Sequence, residues 1–346
     1  MALGDGNSLY LTWIDSWMPT YSVSDVKFFR EDDTSCNTVS NTYTTASNAY
    51  SPRIVLREGG DTHILWAEDH GAQRDISYVH YKDNGGTLLP ADGPDNLSNS
   101  PSSDSSEPLI GFDGSLNVDT VWVEGSEGTR KVTFSRSEDN GKSFSTPQTI
   151  SSPPLSNSHC PVLASAGAGK IYVAYKGDNS IYFARWESNT SSFSDIGYMT
   201  PDSVSPSCPE MGISSNGVIY IVWSDNGKIW VASSTDNGTT FPAIKDVSDT
   251  TGTSSSPKIA MDDNYVNLVW VGEGTGGGDI YFSGSTDNGE SFSAPKNLSN
   301  SASPSLDPVI TSDGSKYIYV AWVEGNVGER DIYFIRDTGA RGLLNP

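Results

Sequence analysis

Two residues beyond a strand-ending aromatic the chain places an acid five times, at Asp15, Glu68, Glu124, Asp225 and Glu324. In three of those loops an arginine stands six residues further on: Arg74, Arg130 and Arg330. Acid and guanidinium in one short loop can form an ion pair, worth about 0–1 kcal/mol when exposed. The pairs expected on that basis are Glu68 with Arg74, Glu124 with Arg130 and Glu324 with Arg330. If the pairs are open instead, the three arginines form a cluster able to grip a carboxylate or sulfate by bidentate bonds. A second series stands just before a proline: Ser51, Glu107, Cys160, Cys208, Ser256 and Asp307. Arg53 follows Pro52, in a slot that other repeats fill with Leu109, Val162, Glu210, Lys258 and Val309. His70 lies in a loop and could act as a base, with Tyr43 and Tyr50 as neighbours able to share a proton. His63 and His80 fall within strand-like runs and read as packed side chains.

The elements that must position these residues repeat. Apolar, β-branched runs end in an aromatic at Trp13, Trp66, Trp122, Tyr175, Trp223, Trp270 and Trp322, in steps of 53, 56, 53, 48, 47 and 52 residues. A period near 50 residues built only from strand-like pieces is the mark of a β-propeller, one blade per repeat. No single blade buries enough apolar surface to stand alone, so the repeats predict one domain over 1–346. The repeats fall at approximately 1–46, 47–102, 103–155, 156–203, 204–251, 252–302 and 303–346. Each reads as a short strand A after the proline, strand B ending in the aromatic, a variable loop, strand C of the type Asp-Ile-Tyr-Phe, a turn and strand D. The ends read as incomplete: Met1-Ala2-Leu3 matches only the tail of a strand A. No clear strand D follows Phe334, as in a three-stranded seventh blade or a segment of a longer repeat array.

The C–D turn reads Ser-x-Asp-x-Gly-x-x-Phe, intact at 137–144, 234–241 and 285–292. Weaker copies stand around Asp83 and at 187–193. Its Asp can accept bonds from backbone N–H groups of its own turn, Asn and Gly tolerate left-handed φ, and Phe anchors the hairpin. Asp83, Asp139, Asp236 and Asp287 are therefore read as structural. The motif resembles the Asp-box of the sialidase-like and bacterial-neuraminidase-repeat propellers. That resemblance covers essentially the whole chain. It implies an all-β fold, a seven-bladed propeller of four-stranded antiparallel blades by the count of B strands. It implies A strands lining a channel, and B–C and D–A loops crowning the mouth opposite the Asp-box turns. Ligand-binding candidates at that mouth are Arg53, Glu68, His70, Arg74, Glu107, Glu124, Arg130, Asp307, Glu324 and Arg330.

Sialidases of the family carry Phe/Tyr-Arg-Ile-Pro, an arginine triad, a Tyr–Glu nucleophile pair and an acid/base Asp. Here Arg53-Ile54 matches the Arg-Ile part without its flanking residues, the family closes six blades rather than seven, and no nucleophile can be placed. The leading expectation is therefore a non-catalytic extracellular or surface module that binds a glycan or a protein at the channel mouth. The alternatives are a carbohydrate-active enzyme, a sialidase-like hydrolase or a polysaccharide lyase, and a purely structural array.

Bulk composition narrows the partners. With 21 Lys and Arg against 43 Asp and Glu the net charge is −22. Nucleic acid and anionic membranes need clustered cations and are not expected as partners. No apolar run reaches membrane-spanning length, and no export signal precedes the first strand. A monomer is expected, with no cofactor; Ca²⁺ held between acidic loops is the open alternative. Cys160 and Cys208 occupy equivalent slots in adjacent repeats, so either a disulfide or two buried thiols follows. His159 beside them would complete three metal ligands, but no spacing supports a metal there. Cys36 has no evident partner and makes the count odd.

Overall fold

The computed structural model describes residues 48–337, except 58–59, 84–87, 115, 152–154, 168, 201–204, 249–251, 263–264, 275 and 313–316, together with the strands at 2–3, 9–17, 23–30 and 37–38. The chain divides into two compact units: Met1–Ile171 with Glu187–Phe193, and Tyr172–Trp186 with Ser194–Pro346. All described regular structure is antiparallel β.

The first unit holds three four-stranded sheets, each in the order A-B-C-D. The second repeat pairs Ala49–Leu56, Thr62–His70, Gln73–Asp83 and Leu88–Asn96. The third pairs Ser105–Phe112, Val118–Glu124, Lys131–Ser137 and Gln148–Thr149. The second unit holds four-stranded sheets for the fifth and sixth repeats and a three-stranded sheet, Ser305–Ser312, Ile318–Glu324 and Asp331–Arg336, for the seventh. The fourth repeat places strand A, Ser158–Ser165, in the first unit and its central hairpin, Ile171–Gly177 with Ser180–Glu187, largely in the second. The A strand is not the short one: it runs eight residues in most repeats, whereas D shrinks to two at Gln148–Thr149 and Lys296–Asn297. The Ser-x-Asp-x-Gly turn consumes the residues before strand D.

The B strands are apolar on both faces because both faces are covered. Thr62–Ala67 and Val118–Val123 are buried without a break, the pattern of a strand sandwiched between layers. Leu65, Ala67, Ile76 and Tyr78 of one sheet pack with Val118 and Trp122 of the next. In the second unit Tyr220 and Val222 do the same with Leu268 and Trp270.

The Ser-x-Asp-x-Gly turns fasten sheet to sheet. Asp139 accepts bonds from the Ser137 hydroxyl (2.8 Å), the Lys142 and Ser143 N–H groups (3.1 and 2.9 Å) and the Ser143 hydroxyl (2.6 Å). Asn140 and Gly141 are both left-handed (φ 63° and 85°). A Cβ on Gly141 would lie 1.8 Å from the Tyr78 hydroxyl of the preceding sheet, so only glycine allows this approach. Phe144 anchors on that neighbour rather than on its own sheet, with its ring edge-on to Tyr78 at 4.8 Å. Phe241 meets Phe183 in the same way at 5.0 Å. Even the weak copy at 187–193 delivers Phe193 onto Phe134 at 4.9 Å. The side chain of Asp83 lies outside the described residues.

Candidate functional site

The opposite end of the hairpins is built on a backbone irregularity. Proline has no N–H for the A–B ladder, and the strand bulges there: the register shifts between Tyr50 and Arg53, between Ser255 and Lys258, and between Leu306 and Val309. Five of the six residues before these prolines are left-handed, with φ 49° at Ser51, 53° at Glu107, 52° at Cys160, 54° at Ser256 and 51° at Asp307; Cys208 is not. Non-glycine residues there cost about 1–2 kcal/mol each, and bulges of this kind re-aim side chains beside functional sites. The series picked out by its prolines is thus a repeated strained rim.

In the first unit this rim is crowded with chemistry. Arg53 is exposed; its Nε donates to the Pro108 carbonyl at 3.2 Å, and it has no carboxylate partner among the described residues. Glu107 reaches the next A strand and accepts the Cys160 N–H at 2.6 Å. The Arg74 guanidinium lies over the Tyr50 ring, 3.7 Å from its centroid. Asp69 holds both, accepting from the Tyr50 hydroxyl at 3.1 Å and from Arg74 Nε at 3.2 Å. Beside them His70 Nε2 lies 3.1 Å from the Ser77 hydroxyl and 3.9 Å from Glu68.

The expected loop ion pairs do not form. Arg74 pairs with Asp69, not Glu68. Gly71 and Ala72 make a two-residue turn, which sets Asp69 opposite Arg74 and Glu68 opposite Asp75. Glu68 is buried and accepts the Trp66 indole N–H at 2.9 Å. Glu124 accepts the Trp122 indole at 3.0 Å and the hydroxyls of Ser103 and Ser105. Glu324 accepts the Trp322 indole at 3.1 Å and the Ser301 hydroxyl at 2.7 Å. Residues i and i+2 of a strand share a face, so Trp-x-Glu is a self-contained pair. Arg130 and Arg330 make no ion pair among the described residues.

In the second unit the starts of three A strands surround one open cavity of about 440 Å³, lined by Cys208, Glu210, Ser256, Lys258 and Asp307. The Lys258 ammonium and the Glu210 carboxylate form an ion pair across it. Equivalent slots of the fifth, sixth and seventh repeats therefore do meet at a common place. Cys160 and Cys208 are both disulfide-bonded, which excludes the free-thiol alternative. The side chain of Asp15, with Cys36 and Tyr43, lies outside the described residues.

Pattern reading missed Asp69 and the Lys258–Glu210 pair. The two-residue turn was the available signal for Asp69. The signal for the Lys258–Glu210 pair was their shared slot in successive repeats, 48 residues apart, but the slot alone does not say that the two side chains meet.

No family model matches the chain, and no curated protein sequence matches it. Solved structures do. A polysaccharide lyase, an ulvan lyase, is similar at 11% identity over 96% of this chain and 90% of that one, with a TM-score of 0.60. A protein of unknown function from Dyadobacter fermentans is similar at 16% identity over 83% and 94%, TM-score 0.52. The intramolecular trans-sialidase of Ruminococcus gnavus is similar at 11% identity over 99% and 94%, TM-score 0.51. These likenesses are of fold, and they place the chain at a coarse level among sialidase and polysaccharide-lyase propeller-type folds.

Proposed function

We propose that this chain is a secreted, carbohydrate-active enzyme that acts on acidic polysaccharide at the rim of its first unit, on a seven-bladed propeller. The observation that carries the reading is Arg53: an exposed guanidinium with no carboxylate partner among the described residues, on a strained bulge, in a chain whose acids outnumber its cations 43 to 21. A cation left open in such a background suits an anionic ligand. Beside it stands the Tyr50–Arg74–Asp69 cluster. The ulvan lyase fold supports the same reading, since one of its structures is described as bound to -[GlcA(1-4)Rha3S]-. The seven-bladed form is supported by the seventh sheet.

The chemistry that suits these residues is β-elimination beside a uronate. Arg53 would neutralise the carboxylate, and Tyr50 or His70 would take the C5 proton. The C4–O4 bond breaks as the C4=C5 double bond forms, and the leaving oxygen takes a proton. The chain is incubated with uronate-containing polysaccharides and the ultraviolet absorbance of the unsaturated product is followed. Rising absorbance that Arg53→Ala abolishes supports the proposal. Sugar release without absorbance replaces elimination with hydrolysis. Retention on the polysaccharide with neither signal returns the chain to a non-catalytic binder.

A further inference from the structure

At the turn end of the second repeat, away from the rim, three ligand-type side chains converge. His63 and His80 are directly opposite each other on neighbouring strands, both fully buried, with their rings stacked at 4.3 Å. Asp61, just before strand B, brings its carboxylate to 3.5 Å from His80 Nε2. One donor atom from each of the three lies within 4.8 Å of the others.

Two further observations point to a ligand. His63 Nδ1 is taken by the Tyr78 hydroxyl at 2.6 Å, while its Nε2 is buried and has no hydrogen-bond partner among the described residues. Either tautomer leaves that atom unmet, as an orphaned donor or an orphaned lone pair. The carboxylate is already oriented: Asn140, in the Ser-x-Asp-x-Gly turn of the third repeat, donates to Asp61 Oδ2 at 2.7 Å. Imidazoles and carboxylates fixed by outer hydrogen bonds are the usual dress of a metal site.

We propose that Asp61, His63 and His80 form a transition-metal site, with Zn²⁺ the ion that suits it. Two imidazoles and one carboxylate are a standard zinc set, at about 2.0–2.2 Å from the ion. Tetrahedral ligands at that radius lie roughly 3.3–3.5 Å apart, the separation already present between Asp61 and His80. Asp61 is the solvent side of the cluster, its side chain 23% exposed, so water can supply the fourth ligand. The ion would tie the central hairpin of the second repeat to the turn of the third. This proposal is independent of the rim chemistry.

The full chain, stripped with a chelator, is titrated with Zn²⁺ and its melting temperature followed; Co²⁺ is added in parallel and its visible spectrum read. We expect one ion per chain by elemental analysis, a saturable rise in melting temperature and intense tetrahedral Co²⁺ bands. Asp61→Asn keeps an acceptor for Asn140 and is expected to fold, with at least a tenfold loss of Zn²⁺ affinity and no Co²⁺ bands. His80→Gln should do the same, and His159→Gln should change neither. Absence of stoichiometric uptake by the native chain overturns the proposal, as does uptake that survives in both Asp61→Asn and His80→Gln.

Discussion

The two ends of these hairpins solve the same problem in opposite ways. Within the Ser-x-Asp-x-Gly turns polar partners lie within a few residues: Asp236 accepts from the Ser234 and Thr240 hydroxyls, and the Gly238 N–H donates to the Ser234 hydroxyl. At the rim, partners come from afar: Arg53 reaches a carbonyl 55 residues away, and Glu107 caps an N–H 53 residues away. The rim backbone is strained at five equivalent residues and leaves cations open. One end is locally closed and carries packing. The other is assembled across repeats and carries exposed charge. The contrast teaches that a motif closed within eight residues is conspicuous in sequence, whereas an end assembled across repeats is not.

That contrast can be broken at several points. The largest effect belongs to the turn end, where buried Arg136 donates to Asp119 at 2.7 Å and lies 3.3 Å from Asp113. Arg136→Ala strands two buried carboxylates and should cost about 3–5 kcal/mol in urea unfolding. A loss below about 1 kcal/mol would mean the turn end is not the rigid one. At the rim, Arg53→Ala should leave stability within about 0.5 kcal/mol, as an exposed side chain does. It should lower turnover of acidic polysaccharide at least tenfold, roughly 1.4 kcal/mol of transition-state binding. Equal effects on melting and on activity would erase the distinction between the two ends.

The pH dependence is smaller and has opposite signs within the turn end. Hydrogen bonds from Ser291, Ser285 and the turn backbone hold Asp287 down at about 2. Its folded pKa lies below the unfolded value near 3.9, so its contribution is present above about pH 4 and lost as pH falls through 2. Burial instead lifts Asp119 to about 6 against the pull of Arg136. Its contribution is present below about pH 4 and lost as pH rises through 6. Asp287→Asn should cost about 1 kcal/mol at neutral pH and flatten the acid limb of a stability–pH curve. An unchanged acid limb would show that the turn bonds do not persist in solution. The smallest effect expected is at the strained bulge. Ser256→Gly relieves a left-handed φ at some cost in chain entropy, for a net gain of about 0.5 kcal/mol in thermal melting. A clear loss would place the bulge's strain elsewhere.

Much was legible because it is local. The Ser-x-Asp-x-Gly turns at 137–144, 234–241 and 285–292 and five of the six X-Pro positions each name a backbone event within eight residues that is present, whereas the tryptophans lie inside their strands, two or more residues before the end. The partner of Arg74 was one residue from legible, decided by a two-residue turn. Glu68, Glu124 and Glu324 were read as loop acids seeking arginines. They instead accept the indole of the tryptophan two residues before them, because strand alternation puts both on one face. Phe144 was read as anchoring its own hairpin and packs on the preceding sheet.

By itself the sequence determined the strands, their turns and the sites where proline breaks the ladder, since these follow from steric and hydrogen-bond rules acting along the chain. Only tertiary structure decided that His63 lies beside Asp61 and His80, that Lys258 meets Glu210 and that Arg53 stands open. Those relations join residues on different strands and sheets, and a charge in a chain carries no address until packing chooses what lies within 4 Å of it.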